Sequence, residues 1–401
     1  MKTRITCIII TILTMNIPLF PQAPPLDEPG TDSIKSNYLT GDWGGFRQSM
    51  ADHGITLELT YTGENFYNAS GGIKQGYTYL GNLDTTLDIN FMDLMNWKGA
   101  ELFIYGLGGH GGSPTEFAGD MQTSSNIETG MDYYKLYEIW FQQSLFDDKI
   151  SFLVGLHDLN SEFYVNDPAG LFFNSSLGVG ADLSQTGANG PSIFPTAAPA
   201  ARLKFQPIEG LYLMGGAYNA IAGNPDFPEK TYADFKFKSG ILGISELGYY
   251  KEGKAKIAFG GWGYSVKEPS IRDGKSTQPF GTYLLADKTM AENYSIFLRA
   301  GIANKELYSI EYNLSTGIAV SGAIFSREND QFGLASTSII APAYLSQPGM
   351  DKHETSIELT YHLQITPWLA FQPDIQYIIN PGMNSSSSDA LATSIRGELL
   401  F

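Results

Sequence analysis

The feature that most restricts the fold of this chain is an alternation of apolar and polar side chains, sustained over about ten residues at a time. It is clearest in ETSIELTYHLQI, residues 354–365, where Ile357, Leu359 and Leu363 oppose Glu358 and Gln364. A period of two is that of a strand with one apolar and one polar face. The same pattern recurs at residues 55–62, 83–91, 201–206 and 254–259. The chain is therefore predicted to consist mainly of strands and turns.

The alternating segments are separated by clusters of turn-forming residues, such as NPDFPEK, KEGK, RDGK and NPGMNSSSSD. The length of the chain allows on the order of 16 such strands, and an even number is typical of outer-membrane barrels. Their uneven spacing argues against a solenoid or a propeller. Periodicity alone leaves two folds open, a barrel whose apolar face contacts lipid and a soluble sandwich whose apolar face contacts a core.

Composition excludes one class of partner. Aromatic residues make up 13% of the chain and charged residues 17%, against roughly 25% charged residues in an average soluble domain. The formal net charge is −17, and only 25 Lys and Arg are present. Because binding to nucleic acid depends on clustered cations that neutralise phosphates, no nucleic-acid partner is expected.

The N-terminal segment predicts export from the cytoplasm. Lys2 and Arg4 precede the apolar run ITCIIITILTM, which indicates a signal peptide over residues 1–23 with cleavage after Ala23. The single cysteine, Cys7, lies inside this segment, so the mature chain is expected to contain no disulfide. No later run of 18 apolar residues predicts a transmembrane helix.

The rest of the chain divides into two parts. Residues 24–53 are predicted to form a periplasmic linker and a short helix from about Gly45 to His53, which Gly54 ends in a left-handed conformation. Residues 54–401 are predicted to form the barrel. The final segment, TSIRGELLF, places Ile395 and Phe401 on the outward face and resembles the last strand of bacterial outer-membrane barrels. Together with the signal peptide, it favours a transmembrane antiparallel β-barrel in the outer membrane over a sandwich.

No motif predicts catalysis or a cofactor. The sequence GLGGHGG, residues 106–112, contains the G-x-G-x-x-G spacing, but the loop-like segment that follows offers no helix N-terminus for a pyrophosphate. The five histidines show no H-x-x-x-H spacing that would indicate a metal site. No local pattern marks a serine as an activated nucleophile. The chain is therefore not expected to be an enzyme.

Two longer blocks are LTGDWGGFRQSMADHGI, residues 39–55, and GHGGSPTEFAGDMQTSSNIE, residues 109–128. They resemble the N-terminal signature and the long loop of the carbohydrate-selective, OprB-like outer-membrane porins. Further blocks at 134–163, 172–180 and 365–382 follow in the order of the family. The resemblance implies a barrel of 16 strands that carries monosaccharides such as glucose passively into the periplasm through a constriction lined by charged and aromatic residues. Gln143 and the neutral segment 155–157 depart from the more charged family pattern and leave the preferred solute open.

Because the sugar contacts of the family cannot be aligned residue by residue, candidate lumen residues are taken from strand phase. The charged side chains on the predicted polar faces are Glu138, Arg202, Lys204, Arg299, Glu358, Asp374 and Arg396. Carboxylates and Arg side chains suit the vicinal hydroxyls of a sugar, and aromatic faces suit its C–H side. Thr360, on the same inward face, is expected to border the open lumen and to tolerate replacement by Arg.

The expected partners are carbohydrate solutes, outer-membrane lipids and, through Phe401, the machinery that inserts barrels. The sequence leaves the oligomeric state open between a single barrel and a trimer. It also leaves open other functions: a general or anion-preferring porin, a surface adhesin, or an enzyme built on a barrel.

Overall fold

The computed structural model describes residues 37–291, 293–322, 327–345 and 348–401. The predicted signal peptide and the linker up to residue 36 lie outside the described residues. The strands are β1 Ile55–Gly72, β2 Gly76–Asn90, β3 Ala100–Gly111, β4 Tyr133–Leu145, β5 Ile150–His157, β6 Ala198–Ile208, β7 Leu211–Asn219, β8 Ile241–Lys251, β9 Ala255–Tyr264, β10 Glu268–Pro269, β11 Ser276–Thr277, β12 Phe280–Ala291, β13 Tyr294–Ala303, β14 Tyr312–Ser321, β15 Gln331–Ile340, β16 His353–Thr366, β17 Leu369–Ile379 and β18 Ser388–Leu400.

Sixteen of these strands form one closed antiparallel barrel, while β10 and β11 form a separate two-stranded ribbon. Each barrel strand pairs with its neighbours in the chain, so β9 pairs with β12, and β1 closes the circle by pairing with β18. The predicted barrel and its strand number are confirmed. Closure leaves no unpaired sheet edge, which is what a sheet in lipid requires.

The two ends of the barrel differ. At one end, which we call the turn end, the connections are short, for example residues 209–210 between β6 and β7 and residues 367–368 between β16 and β17. At the other end, which we call the loop end, the connections include the long segments 112–132, 158–197 and 220–240.

The described helices are short. They are Phe46–Ala51, Phe91–Met95, Thr115–Ala118, Ser175–Gly178 and Ala181–Ser184, with 3₁₀ turns at Trp43–Gly45, Leu159–Ser161, Asp167–Leu171, Ala343–Leu345 and Pro381–Met383. Phe46–Ala51 lies within the predicted N-terminal helix, and Gly54 has the expected positive φ, +73°. None of the described helices combines the length and the apolar character needed to span a membrane.

The alternation of side chains corresponds to the two faces of the barrel wall. Leu203, Leu359 and Ile395 point outward and are 57%, 41% and 54% exposed, whereas the inward Glu358 and Arg396 are 0% and 3% exposed. Such low exposure does not fit a wide, water-filled tube, because inward side chains there would keep contact with water. The interior is therefore occupied by protein.

Loops 158–197 and 112–132 provide this filling. Tyr164 and Leu183 of loop 158–197 pack in a buried cluster with Leu242, Tyr283 and Leu285 on the inner wall. The inner face of β8 thus carries apolar residues, which simple alternation of polar and apolar faces does not predict. The hydrophobic core of this protein lies inside its barrel.

The N-terminal segment packs where β1 meets β18. Arg47 is 6% exposed, and its guanidinium donates to the backbone carbonyl oxygens of Phe401 at 2.8 Å and of Leu57 at 3.2 Å. The rings of Tyr38 and Trp43 lie 3.6 Å and 4.1 Å from it, within the range of cation–π attraction. One buried cation thus joins the N-terminal helix to both strands of the closing pair.

Candidate functional site

Loop 158–197 crosses the lumen because glutamates on the barrel wall accept hydrogen bonds from its backbone. The backbone N–H of Asp158 donates to Glu138 at 2.8 Å, that of Tyr164 donates to Glu246 at 3.0 Å, and that of Asn174 donates to Glu358 at 3.0 Å. These glutamates lie on β4, β8 and β16, far apart around the barrel. Buried backbone groups need partners, and the carboxyl oxygens of these glutamates supply acceptors. The glutamates therefore set the path of the loop.

Strands β13 and β14 hold the same loop through other groups. Arg299, which is fully buried, donates from Nη1 to the carbonyl oxygen of Leu177 at 3.0 Å. The backbone N–H of Ala181 donates to Asn313 Oδ1 at 3.0 Å. Both contacts fix the two short helices of the loop against the wall.

Loop 112–132 is anchored to the neighbouring part of the barrel. The N–H of Gln122 donates to Glu354 Oε1 at 2.8 Å, and Ser125 Oγ donates to Glu64 Oε2 at 2.9 Å. The loops also contact each other, since the N–H of Ser175 donates to the carbonyl oxygen of Thr123 at 2.9 Å. We call the inner face of β13 to β18 and β1 the anchoring wall, because both loops are hydrogen-bonded to it.

Four of the sequence-predicted residues lie on this anchoring wall: Arg299, Glu358, Asp374 and Arg396. Arg396 Nη2 pairs with Glu64 at 2.8 Å and donates to Asn126 at 2.8 Å, with its guanidinium 3.7 Å from the Phe173 ring. Asp374 lies against Glu358 and accepts from Gln376 at 3.1 Å. All four are at most 3% exposed, so their side chains face protein rather than open water.

The expectation that Thr360 borders the open lumen is wrong for the same reason. Thr360 is 1% exposed, and its hydroxyl oxygen accepts from Gln372 Nε2 at 2.9 Å. Gln372 in turn donates to the carbonyl oxygen of Leu171 in loop 158–197 at 2.7 Å. Strand phase gave the direction of this side chain but could not show that a loop covers it.

The other three predicted residues, Glu138, Arg202 and Lys204, come together around a cavity of about 260 Å³. This charged cavity lies between loop 158–197 and the inner face of β3 to β9, which we call the cavity wall. Its volume is below the roughly 300 Å³ at which pockets for drug-sized ligands begin, so it suits a single small solute.

An ion pair forms one side of the charged cavity. Arg202 holds Glu162 of loop 158–197 in a two-pronged contact, with Nε to Oε2 at 2.6 Å and Nη2 to Oε1 at 2.7 Å. Its remaining N–H groups reach Ser151 Oγ at 2.6 Å and Gln142 Oε1 at 2.5 Å. The guanidinium is thus saturated by protein, and Arg202 positions Glu162 rather than offering free donors.

Lys204 and aromatic rings form another part of the lining. The ammonium of Lys204 lies 5.7 Å from the centre of the Tyr212 ring. Trp140 also lines the cavity and stacks on Phe103, with ring centres 5.0 Å apart. An ammonium has three donors, and an aromatic face offers an apolar surface, so this side can bind a solute with hydroxyls on one edge and C–H groups on its face.

The surroundings of two carboxyl groups in loop 158–197, those of Glu162 and Asp182, shift their pKa values in opposite directions. Burial raises the pKa of the Glu162 carboxyl, but the nearby positive charges, that of Arg202 above all, outweigh burial and hold the pKa below its usual value. Glu162 is therefore charged at neutral pH. In contrast, burial raises the pKa of Asp182 to about 7, even though its carboxyl accepts from the Tyr164 hydroxyl at 2.8 Å.

Sequence reasoning missed Glu162, Trp140 and Glu246. Trp140 and Glu246 share the inward phase of Glu138 and of Leu242, so the strand pattern could have identified them. Glu162 lies in a loop, where no period indicates direction. In the described part of the chain, no group of three or more His, Cys, Asp or Glu side chains is placed to hold a metal ion.

Comparison with known proteins identifies a family and two related porins. Residues 74–401 match the model of the family described as carbohydrate-selective porin, OprB family. Porin B of Pseudomonas aeruginosa is 22% identical, with 92% of each chain covered. Porin AaxA of Chlamydia felis is 21% identical, over 70% of this chain and 62% of that one.

Solved structures show the same fold. OprB of Pseudomonas putida at high pH superimposes with a TM-score of 0.78 at 18% identity, covering 92% of this chain and 99% of that one. The outer membrane channel DcaP of Acinetobacter baumannii gives a TM-score of 0.55 at 9% identity, covering 86% and 97%.

The closed sixteen-strand barrel, its apolar outer surface and the family match agree with one another. The protein is a channel of the outer membrane and not an enzyme. It belongs to the carbohydrate-selective porins of the OprB family.

Proposed function

We propose that the chain carries monosaccharides such as glucose by passive diffusion, and that they pass through the charged cavity. The observation that supports this most is the lining of the cavity: the Glu162–Arg202 pair and the Lys204 ammonium lie beside the aromatic residues Trp140 and Tyr212. In outer-membrane barrels the short turns are periplasmic. The turn end would then open to the periplasm, and the cavity would lie on the periplasmic side of loop 158–197.

The residues would divide into two roles. Lys204 would contact sugar hydroxyls directly, and Arg202 would hold Glu162 as an acceptor for them. Glu138, Arg299, Glu358, Asp374 and Arg396 would act on the solute only by fixing the loops. Binding must stay weak, because a solute that is held tightly would block its own passage.

The test is a planar-bilayer recording with glucose as the blocking solute. We expect glucose to reduce the current, and Lys204→Met to weaken this block several-fold because hydroxyl contacts are lost. Leu203→Met, on the outward face of the same strand, should behave as the wild type. If glucose and a size-matched amino acid leave the wild-type current equally unchanged, the proposal of sugar preference is wrong.

An anion-preferring porin is the alternative within transport, and the charges argue against it. The cavity is lined by three basic residues, Arg202, Lys204 and Lys256, and by five acidic residues, Glu101, Glu138, Asp148, Glu162 and Asp167, so basic residues are not in excess. A reversal potential measured in a salt gradient should therefore show no preference for chloride.

Phe401 provides a proposal on assembly. Its N–H donates to the carbonyl oxygen of Leu59 on β1 at 2.9 Å, so it forms part of the closing pair. We propose that the insertion machinery recognises this aromatic residue before β18 has paired. Phe401→Ala should then lower the amount of protein in the outer membrane without affecting secretion, and normal membrane levels would contradict the proposal.

A further inference from the structure

A second cavity in the lumen, of about 220 Å³, lies beside the charged cavity. It is enclosed by the 3₁₀ turn Asp167–Leu171 of loop 158–197 and by the inner face of the barrel from β8 to β15 at the turn end. We propose that this hydroxyl cavity is a second binding site for a neutral polyhydroxylated ring such as a monosaccharide. The inference rests on the proposed function and adds a site to it.

The wall of this cavity offers small hydroxyl and amide groups. Thr289, Ser295, Ser321 and Gln331 line it. Thr289 Oγ1 and Ser295 Oγ lie 3.1 Å apart, and either can be the donor. Because a hydroxyl can both donate and accept, the pair can turn to match the hydroxyls of a ligand in more than one orientation.

Two carboxylates supply further acceptors. Asp167 Oδ2 accepts from the Tyr250 hydroxyl at 3.3 Å, and Asp287 Oδ2 accepts from Asn166 Nδ2 at 3.0 Å. An ionised carboxylate has about four lone-pair sites, so these contacts leave acceptor capacity at both groups. Acceptors in this arrangement suit a ligand that donates, as sugar hydroxyls do, and Leu171 adds an apolar surface.

The position of the cavity suggests what it does. Asp167 and Tyr250 border both cavities, so the hydrogen-bonded pair is the partition between them. The charged cavity contains the cations Arg202 and Lys204, whereas the hydroxyl cavity relies on uncharged donors and on two lysines, Lys251 at the end of β8 and Lys254 in the turn to β9. A sugar near the turn end can therefore occupy either of two adjacent sites that differ in chemistry.

The experiment is a dwell-time analysis of glucose block, recorded on the full barrel with glucose added on the side of the turn end. The wild type should show two classes of blocked state. Ser295→Phe, which fills the cavity, should retain one class with its dwell time unchanged. Ile296→Phe is the matched control, since Ile296 is the next residue on the same strand and is 41% exposed on the outer face, and it should retain both classes.

The outcomes separate this inference from the proposed function. A single class of block in the wild type, or two unaltered classes in Ser295→Phe, would overturn the second site while leaving sugar passage intact. Absence of any glucose block would overturn both. If Ser295→Phe does not fold, the smaller double variant Thr289→Ala with Ser295→Ala should shorten the second dwell time several-fold, and an unaltered dwell time would overturn the site.

Discussion

The two walls of the lumen are built from the same alternating strands but use their polar residues differently. On the anchoring wall, Glu358 and Arg396 are buried, and their hydrogen bonds go to loops 158–197 and 112–132. On the cavity wall, Lys204 is partly exposed and borders the charged cavity. The anchoring wall therefore serves mainly as a scaffold for the loops. The cavity wall also anchors loop 158–197, through Glu138 and Glu246, but in addition lines the charged cavity.

Arg202 shows that the boundary between these roles is not set by position alone. It lies on the cavity wall, yet Glu162, Ser151 and Gln142 accept its hydrogen bonds. A charged residue that faces a pore is thus a candidate for contact with the solute only when its hydrogen-bonding capacity is not already used by protein. This difference between the walls can be tested in four ways.

The largest effect is expected on the anchoring wall. Glu358→Ala removes the acceptor for the N–H groups of Phe173 and Asn174. Each buried N–H left without a partner costs about 1 to 3 kcal/mol. We expect lower stability against denaturant and a several-fold rise in conductance as loop 158–197 detaches.

The control for this variant is Glu209→Ala, at an exposed position in the turn between β6 and β7. It should change neither quantity. Wild-type conductance and stability in Glu358→Ala would mean that the wall does not hold the loop.

A matched set of arginine substitutions compares the walls directly. Outward Leu203→Arg and Leu359→Arg should each cost about 2 to 4 kcal/mol at mid-depth in the bilayer, because charge meets hydrocarbon. Inward Lys204→Arg should be tolerated, since its cavity contains room and charge. Thr360→Arg should be damaging, because Thr360 is 1% exposed under a loop. Refolding into liposomes with increasing urea measures all four, and equal tolerance of both inward variants would contradict the difference between the walls.

Arg202→Ala should have a smaller effect, and it acts on the solute. Hydrogen bonds to charged groups contribute about 1.5 to 3 kcal/mol, and water in the cavity will replace part of this. Without Arg202 as its partner, Glu162 is no longer held in place. Glucose affinity should therefore fall several-fold, while conductance stays the same or rises. The affinity is measured by titrating the current block with glucose, with Leu203→Ala as the control variant. An unchanged glucose dissociation constant in Arg202→Ala would remove Arg202 from the site.

Much of the fold could be predicted from sequence, because the alternation from Ile357 to Leu363 reports which way each side chain points. It could not report what lies inside the barrel. The inward Leu242 and Ile244 appear as exceptions to the pattern until loop 158–197 is seen to pack against them. The same loop buries Glu358 and provides Glu162, and its path depends on contacts between residues far apart in the chain, which no local period encodes.

The smallest effect concerns loop 112–132, which a proton should help to hold in place. Burial, with a further contribution from the charge of Asp120, raises the pKa of Glu128 to about 7, whereas an unfolded Glu has a pKa of about 4.3. Between these values the docked loop binds more protons than the detached loop, so docking is strongest below about pH 4 and weakens as the pH rises to about 7. Hydrogen exchange of the loop amides, corrected for intrinsic rates, should therefore show several-fold less protection at pH 8 than at pH 5.

Glu128→Gln should remove this slope of protection against pH, while Glu116→Gln, at an exposed position of the same loop, should keep it. A slope that persists in Glu128→Gln would assign the response to another buried carboxyl of the loop, of which Asp120 is the first candidate because burial also raises its pKa.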